Sequence, residues 1–157
     1  MEPIIEEPGK IHQTDALIIG AGPVGLFAVF ELGLLDIKCH LVDILDFPGG
    51  QCSELYPEKP IYDIPALPIV SGQELTDNLM KQIKPFNPIF HLGQMASELK
   101  WDSKNNLWVL KTDEETTIKA RVIIIAAGVL AVIPPVVFAL IFQKYIMSGL
   151  LSGAVKN

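Results

Sequence analysis

The segment that most constrains the fold spans residues 16–43, with the sequence ALIIGAGPVGLFAVFELGLLDIKCHLVD. It has the pattern of a buried strand, a glycine turn, a helix and a second strand. Gly20, Gly22 and Gly25 form G-x-G-x-x-G, in which the first glycine permits the turn, the second admits a pyrophosphate and the third allows close helix packing. Asp43 follows Gly25 by 18 residues and is placed to accept hydrogen bonds from a ribose. The segment therefore predicts a βαβ unit that binds a dinucleotide.

Apolar periodicity and turn residues predict the remaining elements. We expect helices at about 23–34 and from a cap at Ser71 or Gly72 to about residue 84, before Pro85. Strands are expected at 16–19, 38–42 and 89–92, and RVIIIA at 121–126 is typical of a buried parallel strand. The segments 97–102, 107–112 and 116–120 predict a three-stranded antiparallel meander. Residues 1–14 are expected to form a flexible arm.

Composition excludes several classes of function. The chain of 157 residues has a net charge of −6 and a single arginine, Arg121, which argues against nucleic acid or an anionic membrane surface as the main partner. Cys39 and Cys52 form no C-x-x-C pair, so a disulfide framework, a zinc–cysteine site and a thioredoxin-type redox pair lose support. The acidic N-terminus lacks the apolar run of a signal peptide. A reducing cytoplasmic setting is the expectation.

The segment 46–68 is too irregular for long helices or strands, because it holds five prolines and two glycines in 23 residues. Its aromatic and apolar content exceeds that of a disordered linker, and its length is typical of a functional loop. Gly50, after Gly49, allows close backbone approach to a ligand, and Gln51 and Tyr56 supply a polar tip and a flat ring. An irregular loop that only packs against the domain is the alternative.

Two further features have a structural and a functional interpretation. His91 lies in the expected strand 89–92 and is interpreted as a hydrogen-bonded structural histidine rather than a ligand, so no metal site is predicted. Trp101 and Trp108 flank the first turn of the meander, where pairing across the strands is favoured over stacking on a base.

Ala127 and Gly128 follow the strand 121–126, and the glycine marks a second close approach to a ligand.

Three stretches together resemble a known family. DALIIGAGPVGLFAVFELG, VDILDFPGGQCSELYPEKPIYDIPA and VIIIAAG are similar to the N-terminal flavin-binding part of ferredoxin/flavodoxin–NADP reductases of the thioredoxin-reductase-like type, over about residues 12–129. The GGQ…LYPEK.IYD segment is more specific than the glycine fingerprint. The resemblance implies a Rossmann-like sheet that binds FAD. It also implies an oxidoreductase that passes electrons from NADPH through the flavin to ferredoxin or flavodoxin, without a catalytic protein side chain and with a homodimer left open.

The resemblance also implies roles for individual residues. The ADP half of FAD would lie on four residues of the first turn: Gly20, Gly22, Pro23 and Gly25. Asp43 would bind the adenosine ribose, Gln51 and Tyr56 the flavin end, and the backbone of Ala96 the adenine. Val24 stands where many members have threonine, so a hydrogen bond from that side chain would be missing. The implied activity belongs to a chain with an NADPH domain, and the sequence holds no second G-x-G-x-x-G.

The composition changes at residue 129. Residues 122–142 carry no charge, but 122–126 are better explained as a strand, and Pro134 and Pro135 interrupt a simple membrane helix. From Pro135 onwards the segment can form an apolar helix. Residues 127–157, with FQKYIMSGLLSGAVKN, resemble the C-terminus of carbohydrate ABC-transporter permeases.

We therefore expect three parts: a flexible arm at 1–14, a partial FAD-binding domain at 15–128 and an apolar tail at 129–157. One hypothesis is a fusion of a truncated reductase with a permease end, able to contact the membrane. The other is an unusual C-terminal helix that covers the open sheet.

Overall fold

The computed structural model describes residues 3–128, and the expected apolar helix and permease-like tail at 129–157 lie outside them. The described elements, in chain order, are β1 (Ile4–Ile5), β2 (Ile11–Ile19), α1 (Pro23–Leu34), β3 (Cys39–Val42), α2 (Gln51–Glu54), β4 (Pro60–Ile61), β5 (Val70–Ser71), α3 (Gly72–Ile83), a 3₁₀ turn (Lys84–Phe86), β6 (Ile89–His91), β7 (Ala96–Asp102), β8 (Leu107–Thr112) and β9 (Thr117–Ile125). Mixed α/β structure is thereby confirmed.

A seven-stranded sheet in the order β1-β6-β3-β2-β9-β8-β7 organises the described residues. The first four pairs in this order, β1-β6, β6-β3, β3-β2 and β2-β9, are parallel. The last two pairs, β9-β8 and β8-β7, are antiparallel. β2 lies between β3 and β9, with Ala16 opposite both Cys39 and Val122. Its residues Leu17 and Ile18 are fully buried, which is why the sequence shows an uninterrupted apolar run there.

The two faces of the sheet carry different apolar clusters. One cluster joins strand residues such as Ile18 and Leu41 to the buried sides of α1 and α3, including Leu26 and Leu79. The other joins five strand residues without a helix: Leu17, Val42, Leu110, Ile118 and Ala120. The helices therefore pack on one face, and the meander contributes to the core of the other.

The long helix predictions are confirmed. α1 spans Pro23–Leu34 with proline in its first turn, and α3 spans Gly72–Ile83. Ser71 is the N-cap of α3: its hydroxyl accepts the Glu74 N–H, and the Glu74 carboxylate accepts the Ser71 N–H. This reciprocal capping box satisfies two donors that a helix start leaves free.

The meander differs from its expected form at its third strand. The expected strand 116–120 and the expected buried strand 121–126 are one continuous strand, β9. It pairs antiparallel with β8 along 117–120 and parallel with β2 along most of its length. Trp101 lies opposite Trp108, with ring centroids 5.2 Å apart in an edge-to-face arrangement, so the cross-strand pair is confirmed.

The expected flexible arm at 1–14 contains strand structure instead. Ile4 and Ile5 pair with β6, and β2 already begins at Ile11 because Thr117–Ala120 offers it a parallel partner. The sequence of residues 1–14 could not reveal this pairing, because the partner strands β6 and β9 lie far away along the chain. Among the described residues, no helix combines the length and the apolar character that crossing a membrane requires.

Replacing Ser71 by alanine tests the helix cap. The substitution removes the acceptor for the Glu74 N–H, so we expect a loss of about 1 kcal/mol in the free energy of unfolding. Ser103→Ala, in the exposed turn between β7 and β8, is the control and should change the value by less than about 0.5 kcal/mol. Urea unfolding followed by circular dichroism measures both. Equal stabilities of the two variants would contradict the capping role.

Candidate functional site

The glycine turn between β2 and α1 is built by close backbone contacts. Gly20 has φ 108°, and a Cβ there would lie 2.6 Å from the carbonyl oxygen of Ala126. A Cβ at Gly25 would collide with the carbonyl oxygen of Gly20. Neither position accepts a side chain without movement of the backbone. The turn is therefore held against the end of β9 on one side and against its own helix on the other.

Gly22 is different, because a side chain there would meet little of the described structure. In that part of the chain, a Cβ on this residue would have the Gly50 Cα as its one neighbour, at 4.0 Å. Gly22 is also the N-cap of α1, and within residues 3–128 no side-chain hydrogen bond caps that helix and no acid lies in its first turn. The first N–H groups of a helix lack acceptors within the helix and attract anions. Pro23 follows without an N–H, and the Val24 side chain is 70% exposed beside it.

Asp43 directly follows β3 and binds the glycine turn. One carboxylate oxygen accepts the Ala21 N–H at 2.6 Å, and the other accepts the Leu45 N–H at 3.0 Å. The carboxylate thus holds the two strand ends of the βαβ unit together. Each oxygen retains a further lone pair, so the group can still accept hydrogen bonds from a ligand hydroxyl.

The expected functional loop contacts the same turn. The Gly49 N–H donates to the Ala21 carbonyl oxygen at 2.8 Å. Gly49 and Gly50 both have positive φ, of 116° and 54°, and a Cβ on Gly50 would lie 3.1 Å from the Gly22 Cα. The two glycine loops therefore approach each other at the backbone level, and the approach of Gly50 to a ligand stays a prediction.

Gln51 and Tyr56, which the sequence predicts at the flavin end, differ in how they lie relative to the contact between Gly50 and Gly22. Gln51 directly follows Gly50, begins α2 and is exposed. Tyr56 follows α2 and is 46% exposed, with the Lys59 ammonium 5.2 Å from its ring centroid. The structure brings Gln51 next to the glycine turn through Gly50, whereas the Tyr56 ring contacts Lys59.

Ala96 begins β7 just beyond a backbone bridge to Asp43. The Gln94 N–H donates to the Asp43 carbonyl oxygen at 2.9 Å, and the Gly93 N–H donates to Leu45 at 2.8 Å. Ala96 itself pairs with Thr112. The connection from β6 to β7 therefore runs beside the end of β3. Gly128 has φ 75°, and a Cβ there would meet no atom of residues 3–127 within 4 Å.

Sequence reasoning missed two contributors to this site. Ala21 donates its N–H to Asp43 and accepts the Gly49 N–H, so its backbone joins all three segments. Ser53 and Thr76 are hydrogen-bonded at 3.1 Å and link α2 to α3. Ala21 occupies a variable position of the G-x-G-x-x-G motif, and a hydrogen-bonding role of its backbone does not depend on its side chain, so the sequence gives no sign of it. For the contact between Ser53 and Thr76, the one sign in the sequence was the serine after GGQC, in a segment whose prolines and glycines indicated only turns.

His91 lies in β6, fully buried, and only part of its expected hydrogen bonding is present. Its Nε2 lies 2.9 Å from Nδ1 of His40, but its own Nδ1 has no partner among the described residues. Burial lowers the pKa of His91 to about 3 and that of His40 to about 4, with neighbouring histidines acting in the same direction. Both rings are neutral at physiological pH.

Two glycine substitutions separate packing from exposure. Gly25→Ala should lower the free energy of unfolding by roughly 1–3 kcal/mol, because the new methyl group collides with the Gly20 carbonyl. Gly22→Ala is its matched control and should change stability by less than about 0.5 kcal/mol, since its backbone lies at φ −72° and its methyl group enters open space. Chemical unfolding checks both. A larger loss for Gly22→Ala than for Gly25→Ala would contradict the geometry.

Comparison with solved structures supports the fold. Thioredoxin reductase from Streptococcus pyogenes aligns with a TM-score of 0.65 and 23% identity, covering 74% of this chain and 35% of the other. A cyclohexanone-bound cyclohexanone monooxygenase aligns with a TM-score of 0.62 and 23% identity, covering 75% and 27%. No family model matches the sequence. At this identity the similarity shows a shared fold.

Comparison with curated proteins gives a closer similarity. Ferredoxin–NADP reductase from Parvibaculum lavamentivorans is 64% identical over 115 residues, which are 73% of this chain and 33% of that protein. Ferredoxin–NADP reductase from Bradyrhizobium sp. strain ORS 278 is 64% identical over 116 residues, which are 74% and 34%. Over about three quarters of its length the chain is therefore similar to ferredoxin–NADP reductases, and it spans about a third of their length.

Proposed function

We propose that residues 15–128 bind FAD and form part of the FAD-binding domain of a flavin-dependent oxidoreductase of the ferredoxin–NADP reductase kind. One observation carries the proposal: two glycine loops approach each other beside the uncapped N-terminus of α1, with Gly49 bonded to Ala21 and Gly50 facing Gly22. Backbone N–H groups without side chains around them are suited to a pyrophosphate. The 64% identity to ferredoxin–NADP reductases supports FAD as the dinucleotide.

The ADP half of FAD is assigned to the first loop. Gly22 leaves room for the phosphates, while Gly20 and Gly25 keep the turn tight enough for the helix N-terminus to reach them. Pro23 starts the helix with φ already suited to it. Asp43 accepts the ribose hydroxyls with the lone pairs that Ala21 and Leu45 leave free.

The other proposed contacts lie on the remaining segments. Gly50 and Gln51 approach the flavin end, and Tyr56 supplies a ring there after movement away from Lys59. The backbone of Ala96 is assigned to the adenine, beside the end of β3. Gly128 has a positive φ and no close neighbour in residues 3–127, and it is proposed as a further backbone contact. Val24 offers no hydroxyl group, so this helix start binds phosphate through its backbone alone.

The proposed activity of the whole protein is electron transfer from NADPH to ferredoxin or flavodoxin, in the cytoplasm. FAD, when bound, supplies the hydride and single-electron chemistry, and this chain's residues bind and orient it. No side chain of the described region is assigned as a catalytic acid, base or nucleophile. A homodimer is compatible with this assignment.

A non-catalytic FAD-binding fragment is the second candidate. The chain spans about a third of its ferredoxin–NADP reductase relatives, and its sequence holds one dinucleotide fingerprint. Hydride transfer requires a nicotinamide held at near-contact distance, which calls for a second binding site. A fusion whose residues 129–157 derive from a permease end and contact the membrane remains a proposal about residues outside the described part.

The absorbance spectrum of the purified full-length chain tests FAD binding. We expect flavin bands after desalting, and FAD rather than FMN on chromatography of the released cofactor. Gly22→Ala should weaken binding about tenfold or more, equivalent to at least about 1.4 kcal/mol, because its methyl group occupies the space between the two loops. Ser103→Ala is the control with unchanged affinity. A folded wild-type chain that takes up no added FAD would overturn the proposal.

Electron transfer from NADPH distinguishes the two candidates. The FAD-loaded chain alone should reduce ferricyanide with NADPH at a small fraction of the rate of the Parvibaculum lavamentivorans reductase, because one fingerprint serves only one dinucleotide. Steady-state assays at equal flavin concentration measure both. Turnover comparable to that of the relative would reject the non-catalytic fragment and would leave FAD binding unaffected.

A further inference from the structure

All three histidines of the chain meet in one place. His12, His40 and His91 lie on β2, β3 and β6, which are consecutive in the sheet order β6-β3-β2. They are separated by up to 79 positions in the sequence, and no spacing motif connects them. None of the three belongs to the proposed FAD contacts. The cluster is therefore a second, separate concentration of chemistry-bearing side chains.

The three rings are close enough to share one ligand. One ring nitrogen from each histidine can be chosen so that all three lie within 4.8 Å of one another. The ring centroid of His12 is 5.7 Å from that of His40 and 4.7 Å from that of His91. The His40–His91 contact joins Nδ1 to Nε2 at 2.9 Å. The rings thus converge rather than merely lying on the same strands.

The hydrogen bonding of the cluster is incomplete. Within residues 3–128, the buried atoms Nδ1 of His91 and Nε2 of His12 have no hydrogen-bond partner. The His91 side chain is fully buried and that of His40 is 7% exposed. Buried polar atoms nearly always have a partner, and an ion or an ordered water is a common reason when no protein partner is present. The neighbouring residues therefore leave polar capacity that a bound species would use.

We propose that His12, His40 and His91 form a zinc site with three imidazole ligands and an open fourth position. Zinc takes histidine nitrogens at about 2.0–2.1 Å in tetrahedral geometry, which separates ligand nitrogens by about 3.3 Å. The three chosen nitrogens lie within 4.8 Å of one another, so ligation requires movement of about 1.5 Å at most. The His12 ring is partly exposed, and its rotation is the source of movement that we assign.

The ligand chemistry favours zinc. Imidazole ligands suit zinc among the common divalent ions, while magnesium and calcium prefer oxygen ligands.

Zinc binding by the tag-free full-length chain tests the site. After treatment with a chelator and incubation with zinc chloride, about one zinc per chain should remain on desalting, measured by mass spectrometry of the metal. Zinc should also raise the thermal unfolding midpoint. His12→Asn should weaken zinc binding by at least about a hundredfold, the upper range for loss of an outer-shell partner. Cys52→Ser should bind as the wild type does, since Cys52 lies outside the cluster.

A second measurement on the wild-type chain keeps the test decisive if a variant fails to fold. Histidine-ring nitrogen resonances should shift for all three residues when zinc is added, and cobalt should give the visible bands of a tetrahedral complex. Absence of bound zinc would overturn the proposal. So would zinc binding that His12→Asn leaves unchanged or Cys52→Ser abolishes, or ring resonances that zinc does not move. FAD binding is unaffected by any of these outcomes, because the two sites use different residues.

Discussion

The pairing of β2 with both β3 and β9 is the constraint on which the candidate site depends. Both partners are parallel to β2, so all three carboxyl ends lie at the same edge of the sheet. The chain leaves β2 at Gly20, directly against the backbone of Ala126 at the end of β9. Since parallel sheets bind ligands at this edge, the buried apolar residues of β2 position the glycine turn before any ligand is present.

The backbone of Ala21 completes this arrangement. Its N–H is held by Asp43 and its carbonyl oxygen by the Gly49 N–H, so one peptide joins the first strand end, the second strand end and the following loop. Asp43 is therefore a structural residue as well as the proposed ribose ligand. The Gly49–Ala21 hydrogen bond holds the start of the loop 46–68 against the glycine turn.

Several elements could be predicted because their signals are local. α1 and α3 follow from apolar spacing, from Pro23 at a helix start and from the Ser71–Glu74 capping pair. The β7–β8 hairpin follows from alternation and its polar turn. The continuity of β9 and the strand at Ile4–Ile5 could not be predicted, because both depend on partners distant in sequence.

The sequence by itself determined the βαβ unit and its glycine turn, since the tight turn and the close helix packing each require glycine at a specific position. It also showed the resemblance to ferredoxin–NADP reductases, which are 64% identical over about three quarters of the chain. Only the tertiary structure decided that Gly50 faces Gly22 and that His12, His40 and His91 converge. Strand order and register create both contacts, and neither is encoded by the spacing of residues along the chain.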